Sequence, residues 1–195
     1  MPRTPAYEIH SATAEASWHA SCMCWIDKPF ATRTFDQGNM QSDFRGSFTV
    51  MVTPFAAKGS LDEPALRRFV DWQIEQGTQG LIPLGSTGEF LSLTREERTR
   101  VVTIVVEQAR RRVPVLVGTP AEWPREAVDL SREAQALGAD GVMVVPPYYS
   151  CPTEDELFAH YKAIGEALSI PVMVYNNPNT ANVGLGAELV ALLRR

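Results

Sequence analysis

Residues 113–145 read VPVLVGTPAEWPREAVDLSREAQALGADGVMVV and contain one strand–helix–strand pattern. The runs Val113–Val117 and Gly141–Val145 are apolar and rich in β-branched residues, which favour strands. Between them, Pro124 suits the first turn of a helix, and Gly138 suits a helix end that needs a left-handed residue. A crossover of this length is typical of a helix that returns the chain to a parallel strand.

The same unit recurs along the chain. Apolar runs begin at residues 48, 80, 113, 141 and 171, so the steps are 32, 33, 28 and 30 residues. The runs do not alternate with polar residues, which is expected for strands covered by helices on both faces. The predicted strands are Phe48–Val52, Gly80–Leu84, Val113–Val117, Gly141–Val145 and Pro171–Tyr175. The sequence therefore predicts an α/β fold of five βα units.

Helix signals fill the gaps between these strands. Thr94 and Glu97 have the spacing of a capping box, as do Thr153 and Glu156. Gly77 suits the end of the first helix. One helical face is formed by Leu66, Phe69, Val70 and Ile74.

Two architectures accept five such units. One is a complete doubly wound sheet, and the other is the first part of a (β/α)8 barrel. Five units over roughly 150 residues are much shorter than the ~250 residues of a complete barrel. Length alone therefore favours the doubly wound sheet, whereas the motifs discussed below favour the barrel.

The first 45 residues differ from the rest. They show no sustained period of either strand or helix, so we predict an irregular N-terminal extension over 1–45 and the α/β domain over 46–195. An alternative is that translation begins at Met40 and that the first 39 residues are an artefact of a start codon placed too early. The Cys22-x-Cys24 pair lacks a second pair at zinc spacing, so we predict no metal site.

Composition excludes several classes of protein. The chain has 195 residues, of which 45% are hydrophobic, and a net charge of −5, so neither a disordered chain nor a nucleic-acid partner is expected. The basic run Arg110–Arg112 is interpreted as a helix end. No apolar run approaches the ~20 residues of a membrane helix. Three cysteines and no signal-peptide pattern favour the cytoplasm.

Special residues cluster directly after each predicted strand. In both architectures the carboxyl ends of parallel strands meet and form the site. The clusters are Thr53-Pro54, Gly85-Ser86-Thr87-Gly88-Glu89, Gly118-Thr119, Pro147-Tyr148-Tyr149 and Tyr175-Asn176-Asn177-Pro178. We therefore predict a site at this edge of the sheet.

The segment Gly85–Glu89 is the most informative of these clusters. Its two glycines let a ligand approach the backbone, and Ser86 and Thr87 offer hydroxyl and N–H groups to a small carboxylate or phosphate. It lacks the Gly-Lys-Ser/Thr ending of a Walker loop and the three spaced glycines of a dinucleotide fingerprint.

The remaining chemistry is mostly that of hydroxyl groups. No histidine lies at a predicted strand end, since His160 falls in a helical stretch, and no pair of carboxylates converges. The candidate hydroxyls are those of Ser86, Thr87, Tyr148, Tyr149 and Tyr175. Hydroxyls relay protons but need an electrophile, which a lysine imine with a keto acid would supply.

These residues carry a family resemblance. Residues 47–195 resemble the N-terminal part of the dihydrodipicolinate synthase and N-acetylneuraminate lyase family, with the motifs in matching order and spacing. The matching pieces are Thr53-Pro54-Phe55, Gly85-Ser86-Thr87-Gly88-Glu89, Ala139-Asp140-Gly141, Pro146-Pro147-Tyr148-Tyr149 and Tyr175-Asn176-Asn177-Pro178.

The resemblance implies a (β/α)8 barrel, usually in a homotetramer, and Schiff-base chemistry on pyruvate or another 2-keto acid with an aldehyde, without metal or cofactor. It implies that Thr87 holds the keto-acid carboxylate and that Tyr175 passes protons at the imine. Ser86 and Tyr149 would complete a hydroxyl relay, with Tyr149 reaching the site of a neighbouring subunit.

Departures from the family pattern leave alternatives open. The family's imine-forming lysine lies beyond Arg195, and Lys28, Lys58 and Lys162 are not on predicted strands. Four departures bear on substrate and regulation. Thr180 stands where dedicated synthases have an arginine, and Ser86 replaces the threonine common in those synthases. Pro120 stands where many members have a glycine, and Glu122 stands where lysine-inhibited synthases have an asparagine. The alternatives are another 2-keto acid aldolase (sialic acid or 2-keto-3-deoxy sugar acid type), an inactive remnant prone to aggregation, or a doubly wound domain that binds a phosphate ligand.

Overall fold

A computed structural model describes residues 22–26 and 44–193, the first of these segments by its backbone alone. The strands are β1 (Cys22–Ile26), β2 (Phe48–Val50), β3 (Gly80–Ile82), β4 (Leu116–Gly118), β5 (Gly141–Val144) and β6 (Val172–Asn176). The helices are α1 (Glu63–Glu75), α2 (Arg95–Ala109), α3 (Pro124–Ala136), α4 (Glu154–Ala167), α5 (Pro178–Ala181) and α6 (Ala187–Leu193). Within these segments, no helix has the length and apolar character needed to cross a membrane.

The five strands β2 to β6 follow one another in chain order. β2 pairs in parallel with β3, and β4, β5 and β6 pair in parallel in that order. A parallel bridge between Leu81 and Val115 joins β3 to β4. A doubly wound sheet reverses its strand order at a switch point, and these five strands show no reversal. The doubly wound alternative is therefore wrong, and the fold is an open arc of a (β/α)8 barrel.

The two faces of the strands have different neighbours. One face packs against the helices in a large buried cluster that includes Leu81, Val117 and Val142. The opposite face forms a second cluster of Ile82, Leu116, Met143 and Met173, against which Phe48, Val50 and Tyr175 pack. The expectation of helices on both faces is thus wrong. The strands lack polar alternation because helices bury one face and the side chains of neighbouring strands bury the other.

The predicted helix signals are confirmed. The hydroxyl of Thr94 accepts the N–H of Glu97, and Glu97 reaches back to the N–H of Thr94. Thr153 and Glu156 repeat this arrangement at the start of α4. Gly77 and Gly138 follow α1 and α3 with φ angles of +89° and +94°.

All five strands of the repeat differ from their predicted limits by one to three residues, and at β3 the cause is proline. β3 ends at Ile82, since Pro83 has no N–H to continue the ladder. β4 begins at Leu116 rather than Val113, and Pro114 precedes it. Arg110 has a left-handed φ of 49°, and the Arg112 guanidinium donates to the carbonyls of the last turn of α2. The interpretation of Arg110–Arg112 as a helix end is therefore confirmed.

The N-terminal extension contains a strand that we did not expect. β1 runs antiparallel to β6 and pairs with all five of its residues. The prediction of an irregular segment over 1–45 is therefore wrong for Cys22–Ile26. The sequence does not reveal this strand because a strand added to an existing edge is stabilised by backbone pairing, which needs no particular periodicity. The side chains of Cys22 and Cys24 lie outside the described part of the chain.

Candidate active site

A tight turn after β3 forms the centre of the candidate site. Ser86–Gly88 make one turn of 3-10 helix, in which Gly88 N–H donates to Gly85 at 3.0 Å and Glu89 N–H donates to Ser86 at 3.0 Å. Ser86 and Thr87 are both exposed. The first N–H groups of a helical turn have no acceptor within that turn. This turn therefore presents two hydroxyls and two N–H groups to a ligand.

The turn is held close to the strands beneath it. A Cβ on Gly85 would lie 2.7 Å from Val50, and one on Gly88 would lie 3.0 Å from the carbonyl oxygen of Met51. The buried hydroxyl of Thr53 donates to the Gly88 carbonyl at 2.8 Å. The Thr53-Pro54 cluster thus positions the Gly85–Glu89 turn.

Backbone strain flanks the turn on both sides. Leu84 and Glu89 have φ angles of 60° and 55°, in the left-handed region that non-glycine residues rarely adopt. Strained residues of this kind cluster at ligand sites, where the surrounding structure holds them in place. Here the flanking residues bring the chain sharply around, so that Ser86 and Thr87 lie at its tip.

Tyr175 lies at the carboxyl end of β6, half-buried against the interior cluster. Its hydroxyl accepts a hydrogen bond from the side-chain amide of Asn177 at 3.2 Å. Asn176 is buried, and its side chain bonds the N–H and carbonyl of Leu185 at 3.0 and 3.4 Å. The Tyr175-Asn176-Asn177 motif therefore fixes the tyrosine ring at the end of the strand.

The Ser86–Gly88 turn and Tyr175 both border the interior of the arc, where the second apolar cluster lies. A Cβ on Gly85 would lie 3.6 Å from the Met143 side chain, which belongs to the cluster against which Tyr175 packs. Ser86 and Thr87 share one turn, and Tyr175 stands at the same end of the strands. Within residues 44–193, no hydrogen bond joins the hydroxyls of these three residues to one another.

Tyr149 lies apart from these residues. Its ring is 90% exposed on the loop after β5, and no hydrogen bond connects its hydroxyl to Ser86, Thr87 or Tyr175 in the described part of the chain. Tyr148 instead packs inward, with its ring 6.0 Å from that of Phe90.

Glu122 anchors the loop that carries both tyrosines. One carboxylate oxygen accepts the N–H groups of Tyr148 and Tyr149 at 2.6 and 2.7 Å, and the other accepts the N–H and hydroxyl of Ser150. Partial burial disfavours the charge of Glu122, but the N–H donors outweigh this effect and lower the pKa of its carboxyl group. Glu122 is therefore ionised near pH 7.

His160 is a core residue of α4. It is 2% exposed, and neither ring nitrogen has a hydrogen-bond partner in the described part of the chain. Burial lowers the pKa of His160 to about 4, although the charge of Glu122 acts in the opposite direction. The neutral ring packs edge-on to Tyr161.

The lysines and possible metal ligands do not converge on the site. Lys58 is exposed in the turn after β2, and Lys162 is exposed on α4, 3.9 Å from Glu166. Lys28 lies outside the described residues. Within 22–26 and 44–193, no group of three histidine, cysteine or acidic residues is placed to hold a metal.

Sequence reasoning missed two supports of the site. The sequence places Thr53 in a strand-end cluster and Glu122 among the residues that bear on feedback inhibition, but it does not predict the contacts of either. A charged residue two positions before a helix-starting proline was the available signal for Glu122, but its partners lie 26 to 28 residues further along the chain.

Comparison with known proteins identifies relatives of this chain. The 4-hydroxy-tetrahydrodipicolinate synthase of Acidiphilium cryptum is 46% identical over 150 residues, which are 77% of this chain and 51% of that protein. The chloride-inhibited dihydrodipicolinate synthase of Acinetobacter baumannii, solved with pyruvate, has a TM-score of 0.74 at 40% identity over 76% of this chain and 51% of that one.

A prophage protein of the dihydrodipicolinic acid synthase family from E. coli K12, also solved with pyruvate, has a TM-score of 0.74 at 38% identity. The match covers 77% of this chain and 50% of that one. This chain therefore spans about half the length of the relatives that it matches. The model of the Dihydrodipicolinate synthetase family matches residues 43–195. The chain belongs to the dihydrodipicolinate synthetase family.

Proposed function

We propose that residues 44–193 form the keto-acid-binding part of a pyruvate-dependent lyase of the 4-hydroxy-tetrahydrodipicolinate synthase type, which acts through a Schiff base in the cytoplasm. The observation that carries this proposal is the Ser86–Gly88 turn, which exposes Ser86 and Thr87 at the end of the same interior that Tyr175 borders. Two relatives solved with pyruvate share this half of the fold.

The turn suits the carboxylate of a 2-keto acid. A carboxylate accepts hydrogen bonds from N–H and hydroxyl donors, and charged acceptors strengthen such bonds. In this role Thr87 donates its hydroxyl and N–H to the carboxylate, and Ser86 stands beside it in the proton relay. Gly85 and Gly88 let the turn pack closely against Val50 and Met51, which holds Ser86 and Thr87 in place.

Tyr175 is the proposed proton carrier. Its hydroxyl already accepts a hydrogen bond from Asn177, so its own proton is free to point toward a substrate. Enamine chemistry needs a neutral group that gives and takes protons without building charge in a closed site. Tyr175 has that chemistry and that position.

Tyr149 is proposed to act in a neighbouring copy. Its ring is 90% exposed, whereas the loop beneath it is fixed by Glu122. A rigidly held aromatic ring that projects from the surface is typical of a residue that contacts a partner subunit. We therefore propose a homo-oligomer in which Tyr149 completes the hydroxyl relay of the adjoining site.

The imine-forming step is not assigned to residues 44–193. Both lysines of this part, Lys58 and Lys162, are exposed on the outside of the fold. We propose that this chain binds the keto acid but forms no imine with it. Thr180, in the place of the synthases' arginine, also keeps another 2-keto acid aldolase of the family as the alternative activity.

Trapping with pyruvate and borohydride tests this assignment. Reduction converts any imine to a stable amine, which adds mass to the modified lysine. We expect the intact mass of the chain to stay unchanged after reduction. An adduct on Lys58 or Lys162 would contradict the account, and so would an adduct on Lys28, which would show that the N-terminal extension supplies the nucleophile.

A further inference from the structure

Val50 ends β2 with its side chain on the interior face of the arc. The next residue, Met51, belongs to the buried cluster beneath the helices, and successive residues of a strand point to opposite faces. Val50 instead packs against the second cluster, which includes Met143 and lies inside the arc. Val50 therefore lies on the face of the strands that Tyr175 also borders.

Two methyl groups lie next to the backbone of the Ser86–Gly88 turn. A Cβ on Gly85, which precedes Ser86, would lie 2.7 Å from Val50 Cγ1 and 3.6 Å from Met143 Cε. Both atoms are methyl carbons, which offer no ordinary hydrogen bond to a ligand. The donors of the turn therefore adjoin an apolar floor, which consists of Val50 and Met143.

The two residues of the apolar floor differ in how far they can yield. Met143 is unbranched and has several rotatable bonds, so its methyl group can move to fit a neighbour. Val50 is β-branched, and its χ1 angle is restricted. The backbone of Gly85 blocks the Cγ1 methyl further, because it lies so close that a Cβ there would overlap with it. Val50 is therefore the rigid part of the apolar floor.

The apolar floor lies where the carbon chain of a bound keto acid would run. In the proposed function the carboxylate of a 2-keto acid binds Ser86 and Thr87, and its keto carbon lies toward Tyr175. Tyr175 packs against the cluster to which Val50 and Met143 belong. This places C3 of the keto acid, the carbon that joins the aldehyde, over the apolar floor. One substituent on C3 can point out of the site toward the aldehyde, but a second one points into the floor.

We propose that Val50 determines specificity at C3, so that the site takes 2-keto acids with at most one further carbon on C3 and rejects those that are branched there. This inference rests on the proposed function and adds the substrate class to it. A second carbon on C3 meets the rigid Val50 side chain, and a hydroxyl group in that place loses water without gaining a hydrogen-bond partner from the floor. One methyl group too many in an apolar pocket typically changes binding by roughly tenfold or more.

Titration with three keto acids tests the proposal, with the amide resonances of Ser86 and Thr87 as the readout. The probes are pyruvate, 2-oxobutanoate with one further carbon on C3, and 3-methyl-2-oxobutanoate with two. We expect the dissociation constants of the first two to agree within about threefold, and that of the branched acid to be roughly tenfold higher or more. In Val50→Ala the branched acid should bind within about threefold of pyruvate.

Val144→Ala is the matched control, because it deletes the same two methyl groups on the opposite side of the strands, in the cluster beneath the helices. It should keep the ratio of dissociation constants of the unmodified chain. If pyruvate binds but the branched acid binds equally well to the unmodified chain, or if the ratio is the same in Val50→Ala, the proposal is overturned and the proposed function stands. If none of the three acids shifts the two amides, both are overturned.

Val50→Ile provides the answer if Val50→Ala fails to fold, which a collapse of the amide dispersion would reveal. The added methylene extends the rigid side chain further into the space above the floor. The branched acid should therefore bind still more weakly relative to pyruvate. An unchanged ratio in Val50→Ile would overturn the proposal.

Discussion

Glu122 Oε1 lies 2.7 Å from the backbone nitrogen of Tyr149, so a side chain between β4 and α3 holds the loop that follows β5. The same carboxylate accepts the N–H groups of Tyr148 and Ser150. Three successive N–H groups thus share one anionic acceptor. This contact therefore fixes the backbone of Tyr149, whose ring is exposed.

Glu122→Ala should release the tyrosine loop. Hydrogen bonds to a charged acceptor are typically stronger than neutral ones, and this site is partly exposed, so we expect a loss of roughly 1–2 kcal/mol in the free energy of unfolding. Amide exchange at Tyr148 and Tyr149 should accelerate. The stability and the exchange rates of Glu122→Gln, which keeps one acceptor oxygen, should lie between those of the unmodified chain and those of Glu122→Ala. Unchanged exchange in Glu122→Ala would contradict the anchoring role.

Thr53→Val tests the tether beneath the Ser86–Gly88 turn. The substitution keeps the shape of the side chain but leaves the Gly88 carbonyl without its buried donor. We expect a loss of about 1–2 kcal/mol in the free energy of unfolding, measured by urea denaturation. Thr53→Ser keeps the hydroxyl and should lose less than Thr53→Val. The reverse order would show that the methyl group, not the hydroxyl, matters here.

Gly118→Ala should be severely destabilising. A Cβ at this position would lie 2.2 Å from the carbonyl oxygen of Leu84, which is backbone and cannot rotate away. We expect a loss on the order of 3 kcal/mol, or failure to fold. Gly165→Ala is the control, because no atom lies within 4 Å of its added Cβ in α4, and it should gain about 0.5–1 kcal/mol. A well-tolerated Gly118→Ala would show that β3 and β4 are further apart than described.

His160 should make the protein less stable in mild acid. Its pKa is lowered from 6.5 to about 4 on folding, so between these values the unfolded chain binds a proton that the folded chain does not. Stability therefore falls as the pH drops from 6.5 toward 4, by on the order of 2–3 kcal/mol. His160→Leu should flatten this part of the profile, measured by urea unfolding at each pH.

The effect of His160 must be separated from the effect of Glu122, which changes the stability of the protein with pH in the same direction. Its folded-state pKa is lowered, so its contribution is also lost as the pH falls through that pKa. The difference between the unmodified chain and His160→Leu isolates the histidine, because both retain Glu122. Parallel profiles for the two proteins would contradict the assignment.

The repeat and its caps could be predicted from sequence because their determinants are local. Thr94 and Glu97 are three residues apart, and Pro124 and Gly138 act on their own backbone. Periodicity could not distinguish an open barrel arc from a doubly wound sheet, since both bury each strand on two faces. The motifs after the strands favour the barrel, and the pairing of β2 to β6 in chain order, without reversal, confirms it.

The supports of the site depend on long-range contacts. Thr53 meets Gly88 across 35 residues, and Glu122 meets Tyr149 across 27. No physical rule sets the number of residues between the members of either pair, so neither contact can be predicted from the sequence. β1 is the extreme case, because Cys22 pairs with Asn176 and backbone hydrogen bonding leaves little trace in side-chain pattern.

The central claim is that the Ser86–Gly88 turn holds a keto-acid carboxylate, and titration of the chain with pyruvate, followed by the amide resonances of Ser86 and Thr87, tests it most directly. The account predicts saturable shifts at these amides, with affinity reduced about tenfold in Thr87→Val, as expected for the loss of one hydrogen bond to a charged group. Resonances that do not move, or that move equally in Thr87→Val, would contradict it.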